Sequence, residues 1–141
     1  MKFWDTSALV SLLLEEPATA STQALYDEDP ELLVWWATPV ECMSALSRCE
    51  RDKSEAPDAI NIAMQRLRAL AENWNEILPA QSVRRHAERL VRSHPLRAAD
   101  ALQLAAAVVA AEVDPWSLPF VCLDRRLAAA ALKEGFLVPV L

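Results

Sequence analysis

Four acids stand where a folded chain could gather them. Asp5 directly follows one apolar run, Met1–Trp4, and Asp124 directly follows another, Phe120–Leu123. Glu41 falls in the first turn of a helix that Pro39 is suited to open, and Asp100 in the first turn or so of a helix that is apolar almost all round. Asp100 has Ala98, Ala99, Ala101 and Leu102 around it and Arg97 as its only close base. An aspartate there loses hydration unless a cation or donors replace it. Four carboxylates at one edge repel each other, and a divalent cation is the natural compensation. All-oxygen ligation selects Mg²⁺ or Mn²⁺. Such a site positions water and stabilises charge at a phosphodiester during in-line displacement.

Each acid also has an ordinary structural use. Asp5 and Asp124 are placed to cap the helices that follow them, and taken singly such caps are commoner than metal ligands. Glu41 suits the positive end of a helix dipole. Asp100 has the least structural excuse; its alternative is a salt bridge to Arg97, one turn back.

The elements that must position these acids alternate. Strands are expected over Met1–Trp4, Leu32–Trp36, Trp74–Leu78, Phe120–Leu123 and Leu137–Val140. Helices are expected over Ser7–Leu14, Thr19–Tyr26, from Pro39 to the charged stretch Glu50–Glu55, Pro57–Glu72, Gln81–His94, Leu96–Glu112 and Arg125–Glu134, with Gly135 as the last cap and Pro115–Pro119 as a loop. Short apolar strands alternating with helices predict an α/β fold in three layers, α/β/α, around a parallel sheet of four or five short strands. In such a sheet ligands bind outside the carboxyl ends of the strands, where Asp5 and Asp124 fall. No repeat or linker breaks the chain, so residues 1–141 read as a single domain.

Composition narrows the chemistry. The 141 residues are 53% hydrophobic, enough for one well-filled core. There is one glycine, Gly135, so neither a P-loop nor a G-x-G-x-x-G dinucleotide loop can exist. No segment reaches the roughly 20 apolar residues that a membrane helix needs, and an acid interrupts Met-Lys-Phe-Trp-Asp where a signal peptide would continue. Three cysteines, an odd number without a close Cys/His pair, read as free thiols in a reducing cytoplasm rather than a zinc site. The formal charge of -6, from 14 Lys+Arg against 20 Asp+Glu, runs against a nucleic-acid binder at first sight. A small basic patch can still coexist with an acidic remainder.

The four acids and their settings resemble the PIN-domain family, and within it the VapC-type ribonuclease toxins of bacterial type II toxin–antitoxin systems. The matching segments are Phe-Trp-Asp-Thr-Ser-Ala-Leu from Phe3, Thr-Pro-Val-Glu-Cys-Met-Ser-Ala-Leu from Thr38, Leu-Arg-Ala-Ala-Asp-Ala-Leu-Gln-Leu-Ala-Ala-Ala from Leu96, and Phe-Val-Cys-Leu-Asp-Arg-Arg-Leu-Ala-Ala-Ala-Ala from Phe120. The resemblance implies that Asp5, Glu41 and Asp100 are the family's catalytic metal-binding acids and that Asp124 is the fourth, less constant one. Thr6 and Ser7 fall on the hydroxyl positions beside the first acid. Two positions depart from the pattern: Cys122 stands where members often carry Ser or Thr, and Gln103 where many carry His. The resemblance further implies Mg²⁺- or Mn²⁺-dependent hydrolysis of RNA, a homodimer, and a cognate antitoxin whose C-terminal segment crosses the active site.

Positive charge gathers at Arg84, Arg85, Arg89, Arg92 and Arg97, and at Arg125 and Arg126 after the fourth acid. Arg97 and Arg125 are the best placed for RNA phosphates; the Arg84–Arg92 group reads equally as a solvated helix face. Arg48, two turns beyond Glu41, could reach the site or the antitoxin. Trp35 and Trp36 are adjacent in a strand and face opposite sides, so core packing for each is the plain expectation and base stacking the alternative. His86 and His94 read as surface-helix and helix-end residues. Two other functions compete: a catalytically idle PIN-like binding module acting through protein partners, and a phosphatase-like hydrolase with Asp5 as nucleophile. The latter expects a second acid two residues on, where Ser7 stands.

Overall fold

The computed structural model describes residues 1–141. The elements run β1 (Lys2–Trp4), α1 (Thr6–Leu13), α2 (Thr19–Glu28), β2 (Leu32–Trp35), α3 (Thr38–Arg51), α4 (Pro57–Ala71), β3 (Asn75–Ile77), α5 (Gln81–Ser93), α6 (Ala98–Ala111), β4 (Phe120–Val121) and α7 (Arg125–Lys133), with one 3₁₀ turn at Pro115–Ser117. The four strands are all parallel in the order β3-β2-β1-β4. From β1 the chain steps outward through β2 to β3 and then returns to the far side of β1. The direction therefore reverses between β1 and β4, and the crevice beyond their carboxyl ends is where such folds bind ligands.

The period of two along each strand sorts the core. Phe3, Leu33, Trp35 and Phe120 point to one face, against Val83, Ala87 and Leu90 of α5, the alanines and Leu104 of α6, and Leu127 of α7. Trp4, Leu32, Val34 and Val121 point to the other, against Leu9 and Leu13 of α1, Cys42 and Leu46 of α3, and Ile60 and Leu67 of α4. Phe3 stacks on Phe120 across the β1–β4 pair, with centroids 5.3 Å apart and planes 7° from parallel. Side chains of this size, buried fully, each contribute about 1.5–3 kcal/mol.

Several boundaries differ from expectation for local reasons. Leu137–Val140 forms no strand: its one ladder-like bond runs from the Phe120 amide to the Leu137 carbonyl, 2.8 Å, and Pro139 has no N–H to continue it. The strand at Leu32–Trp36 ends at Trp35, so Trp35 is buried, whereas Trp36 turns outward and is 51% exposed. His94 is the helix-end residue expected, and it is buried. It closes α5, and its ring nitrogen lies 2.7 Å from Glu134, which also takes a bidentate pair of bonds from Arg89. Gly135 caps α7 at φ +94°; its amide bonds the Leu132 carbonyl and the Phe136 amide the Ala131 carbonyl, a Schellman closure. No helix is long and apolar enough to cross a membrane.

Candidate active site

Asp5 and Asp124 both cap helices, and both also reach the crevice. Asp5 ends β1 and caps α1: its Oδ2 accepts from the Ser7 amide at 3.0 Å and the Ser7 hydroxyl at 2.6 Å. Asp124 caps α7 through Oδ1, which accepts from the Leu127 amide at 2.9 Å. Glu41 lies in the first turn of α3, and its Oε2 accepts from the Thr6 hydroxyl at 2.8 Å and from Gln103 Nε2 at 3.0 Å. In all three acids the protein's donors meet a single oxygen and leave the second to the cleft. Asp100 lies in the first turn of α6. It forms no salt bridge with Arg97, whose positive charge nevertheless acts on it.

All four acids line one cleft of about 620 Å³, together with Thr6, Ser7, Glu16, Arg48 and Leu123 among others. Burial, first of all, pushes the Asp5 carboxyl from 3.8 up to about 6, with Glu41 and Asp100 adding to the rise against the two Ser7 bonds. Burial likewise raises Asp100, and the Asp124 charge adds to it. The acids thus sense one another across the cleft. Their oxygen-only chemistry fits a hard divalent ion. With the side chains as they stand, no group of three acids, cysteines or histidines is close enough to share one ion. Asp5, Glu41, Asp100 and Asp124 would be its holders.

Arg97, Arg125 and Arg126 line an adjoining cleft that shares Ala99, Asp100 and Asp124 with the first. Positive charge thus borders the acids on that side, and Arg48 borders them from α3. The Arg85–Arg92 face of α5 lines a separate recess with neither Arg97 nor any of the four acids, and Arg89 there is paired with Glu134. A further cleft, about 600 Å³, lies between α1, α2 and α4 and holds none of the four acids.

Three further side chains attend the site, and of these Glu16 alone is without a sign in the sequence. Cys122 replaces a hydroxyl, but its Sγ lies 3.6 Å from Asp5 Oδ2, and burial holds its thiol well above the usual range. Glu16, following α1, is a fifth acid at the cleft edge, raised by burial and then by Glu55. Gln103 is completely buried and bonds Glu41, Thr6 and Thr38. Its sequence signals are the motif position, where the resemblance leads one to expect His, and its spacing, three residues beyond Asp100 on the same helix face.

A short parallel sheet whose helices begin on carboxylates at one edge, bordered by arginines, defines a small three-layer α/β domain with an acidic site. The family model for the PIN domain matches residues 2–132. Ribonuclease VapC45 of Mycobacterium tuberculosis (strain CDC 1551 / Oshkosh) is 34% identical over 141 residues, covering 94% of this chain and 90% of that protein. Ribonuclease VapC49 of Mycobacterium tuberculosis (strain ATCC 25618 / H37Rv) matches at the same identity and coverage. A chain of a toxin–antitoxin complex from Klebsiella pneumoniae shares the fold, with TM-score 0.61 at 20% identity over 91% of each chain. The protein belongs to the PIN domain family.

Proposed function

We propose that this protein is a Mg²⁺- or Mn²⁺-dependent endoribonuclease, the toxin of a type II toxin–antitoxin pair. The observation that carries the reading is the convergence of Asp5, Glu41, Asp100 and Asp124 on one cleft whose border holds Arg97, Arg125 and Arg48. The ribonuclease relatives supply the substrate class.

A bound divalent ion supplies Lewis-acid charge at the scissile phosphate and a polarised water. The chain's own residues do the rest. Asp5, Glu41 and Asp124, with Asp100, would hold the ion, their unpaired oxygens closing on it. Ser7 fixes Asp5, and Thr6 fixes Glu41. Arg97 and Arg125 neutralise neighbouring phosphates, which orients the RNA backbone along the cleft. An acidic protein with a formal charge of -6 suits an antitoxin that brings basic residues to this edge. The reading includes a homodimer, and exposed Trp36, Val40 and Leu78 beside the ends of β2 and β3 offer apolar surface for a protein contact. Three free thiols fit a reducing cytoplasm.

The test is cleavage of structured RNA by purified, antitoxin-free protein. Cleavage is expected with Mg²⁺ or Mn²⁺ and is lost with EDTA or in Asp100→Asn. Cleavage that survives either treatment refutes the metal mechanism; RNA or antitoxin binding with no cleavage under any metal favours the idle binding module.

A further inference from the structure

Gln103 is an odd residue for its place. It sits at 0% exposure in α6, among Ala101, Leu104, Ala105 and Ala106, where an apolar side chain of the same volume would pack without polar atoms. Its Oε1 is buried without a partner, which is a cost to stability. Its Nε2 spends both hydrogens on a cluster of three oxygens: Glu41 Oε2 at 3.0 Å, Thr6 Oγ1 at 3.0 Å and Thr38 Oγ1 at 3.1 Å. Thr6 passes its own proton on to the same Glu41 oxygen at 2.8 Å. Three elements, α1, α3 and α6, are thereby tied at one carboxylate oxygen, and Glu41 Oε1 is left for the cleft.

We propose that Gln103 is a positioning residue for the metal site, holding Glu41 directly and through Thr6 so that its free oxygen meets the ion in a set orientation. The inference rests on the metal-site reading above. It accounts for a buried amide whose carbonyl has no partner: the donor end is what the position needs. Groups that orient a ligand from behind typically govern affinity by roughly 10–100-fold.

Gln103→Met keeps the volume and removes the donor. Mn²⁺ titration calorimetry on the purified protein should show its Kd weakened roughly 10–100-fold, while the metal-free melting temperature moves by only a few degrees, since one orphaned oxygen, Gln103 Oε1, is removed as another, Thr38 Oγ1, is created. Gln103→His keeps an N–H donor and should bind Mn²⁺ within a few-fold of wild type. A methionine variant that binds Mn²⁺ as wild type does overturns the positioning role and leaves the metal site standing. Wild type that binds no Mn²⁺ overturns the metal-site reading itself. Should Gln103→Met not fold, Gln103→Leu removes the same donor with a branched side chain, and unchanged Mn²⁺ affinity in that variant overturns the role as well.

Discussion

The Ser7 hydroxyl donates to Asp5 Oδ2 at 2.6 Å, and Ser7 Oγ in turn accepts from the Leu123 amide at 2.9 Å. One side chain therefore links the acid after β1 to the backbone just before Asp124, across the point where the sheet reverses direction. Ser7→Ala is expected to lower stability by about 1–3 kcal/mol, because a half-buried amide loses its partner. It should also move Asp5 above about 6, since the Ser7 side-chain bond is the largest influence holding that value down. Urea melts check the first effect. A cleavage–pH profile whose acid limb shifts to higher pH checks the second.

Asp5 itself is predicted to weaken the metal-free fold. Its rise from 3.8 to about 6 corresponds to about 3 kcal/mol. Between these values the folded chain holds a proton that the unfolded chain has released. The stability from this group is fully present below about 4 and is lost as pH rises through about 6. Asp5→Asn in EDTA should therefore be the more stable protein at pH 7.5 by up to about 3 kcal/mol, with the gap closing near pH 4. Equal urea midpoints at pH 7.5 would contradict this.

Adding the ion should reverse that burden. Mn²⁺ that binds only the folded chain raises stability by mass action. Wild type should gain several degrees in melting temperature with saturating Mn²⁺, whereas Asp5→Asn and Asp100→Asn gain little. A gain of the same size in all three proteins would mean that the ion acts elsewhere.

The arginines divide into two groups by what they touch. Arg97→Ala or Arg125→Ala, each made on an Asp100→Asn background to prevent cleavage, should weaken RNA binding and flatten the salt dependence by roughly 0.7 per lost contact. Arg89→Ala should leave both unchanged, because Arg89 is engaged with Glu134 at 2.9 and 3.1 Å and lines a recess that holds none of the four acids. Filter binding across a salt series separates the groups.

Gly135→Ala should cost about 1–2 kcal/mol through backbone strain alone, the left-handed φ of +94° being the difficulty. An added Cβ meets nothing nearer than Pro115 at 3.8 Å, an ordinary contact. Cleavage should be unaffected, and thermal melts at matched metal check both halves.

The site was legible where local pattern and global fold coincide. Asp100 announces itself as an acid on an apolar helix, and Asp5 and Asp124 as acids at strand ends. The three-layer order followed from strands too short and apolar to be anything but buried. What stayed hidden depended on long-range pairing. Gln103 stands out in sequence only as a departure from a motif, and what it bonds is invisible until Thr6, 97 positions away in sequence, meets its amide. Trp36 looks like its neighbour Trp35 until β2 stops between them. His94 reads correctly as a helix end, but its pairing with Glu134, 40 positions on, does not show in the sequence. At Leu137–Val140, the apolar run suggested a strand that Pro139 cannot sustain.

The double duty of Asp5 and Asp124 has an evolutionary corollary. Asparagine serves a helix start about as well as aspartate, so each exchange keeps an oxygen for the same amide while discarding the charge. If these acids hold the ion as proposed, the chain lies one codon step from an inert replica of itself, with its surface and shape retained. A cell burdened by the active form can escape by that step without ever making a misfolded product, and the replica would still occupy whatever partner recognises this face.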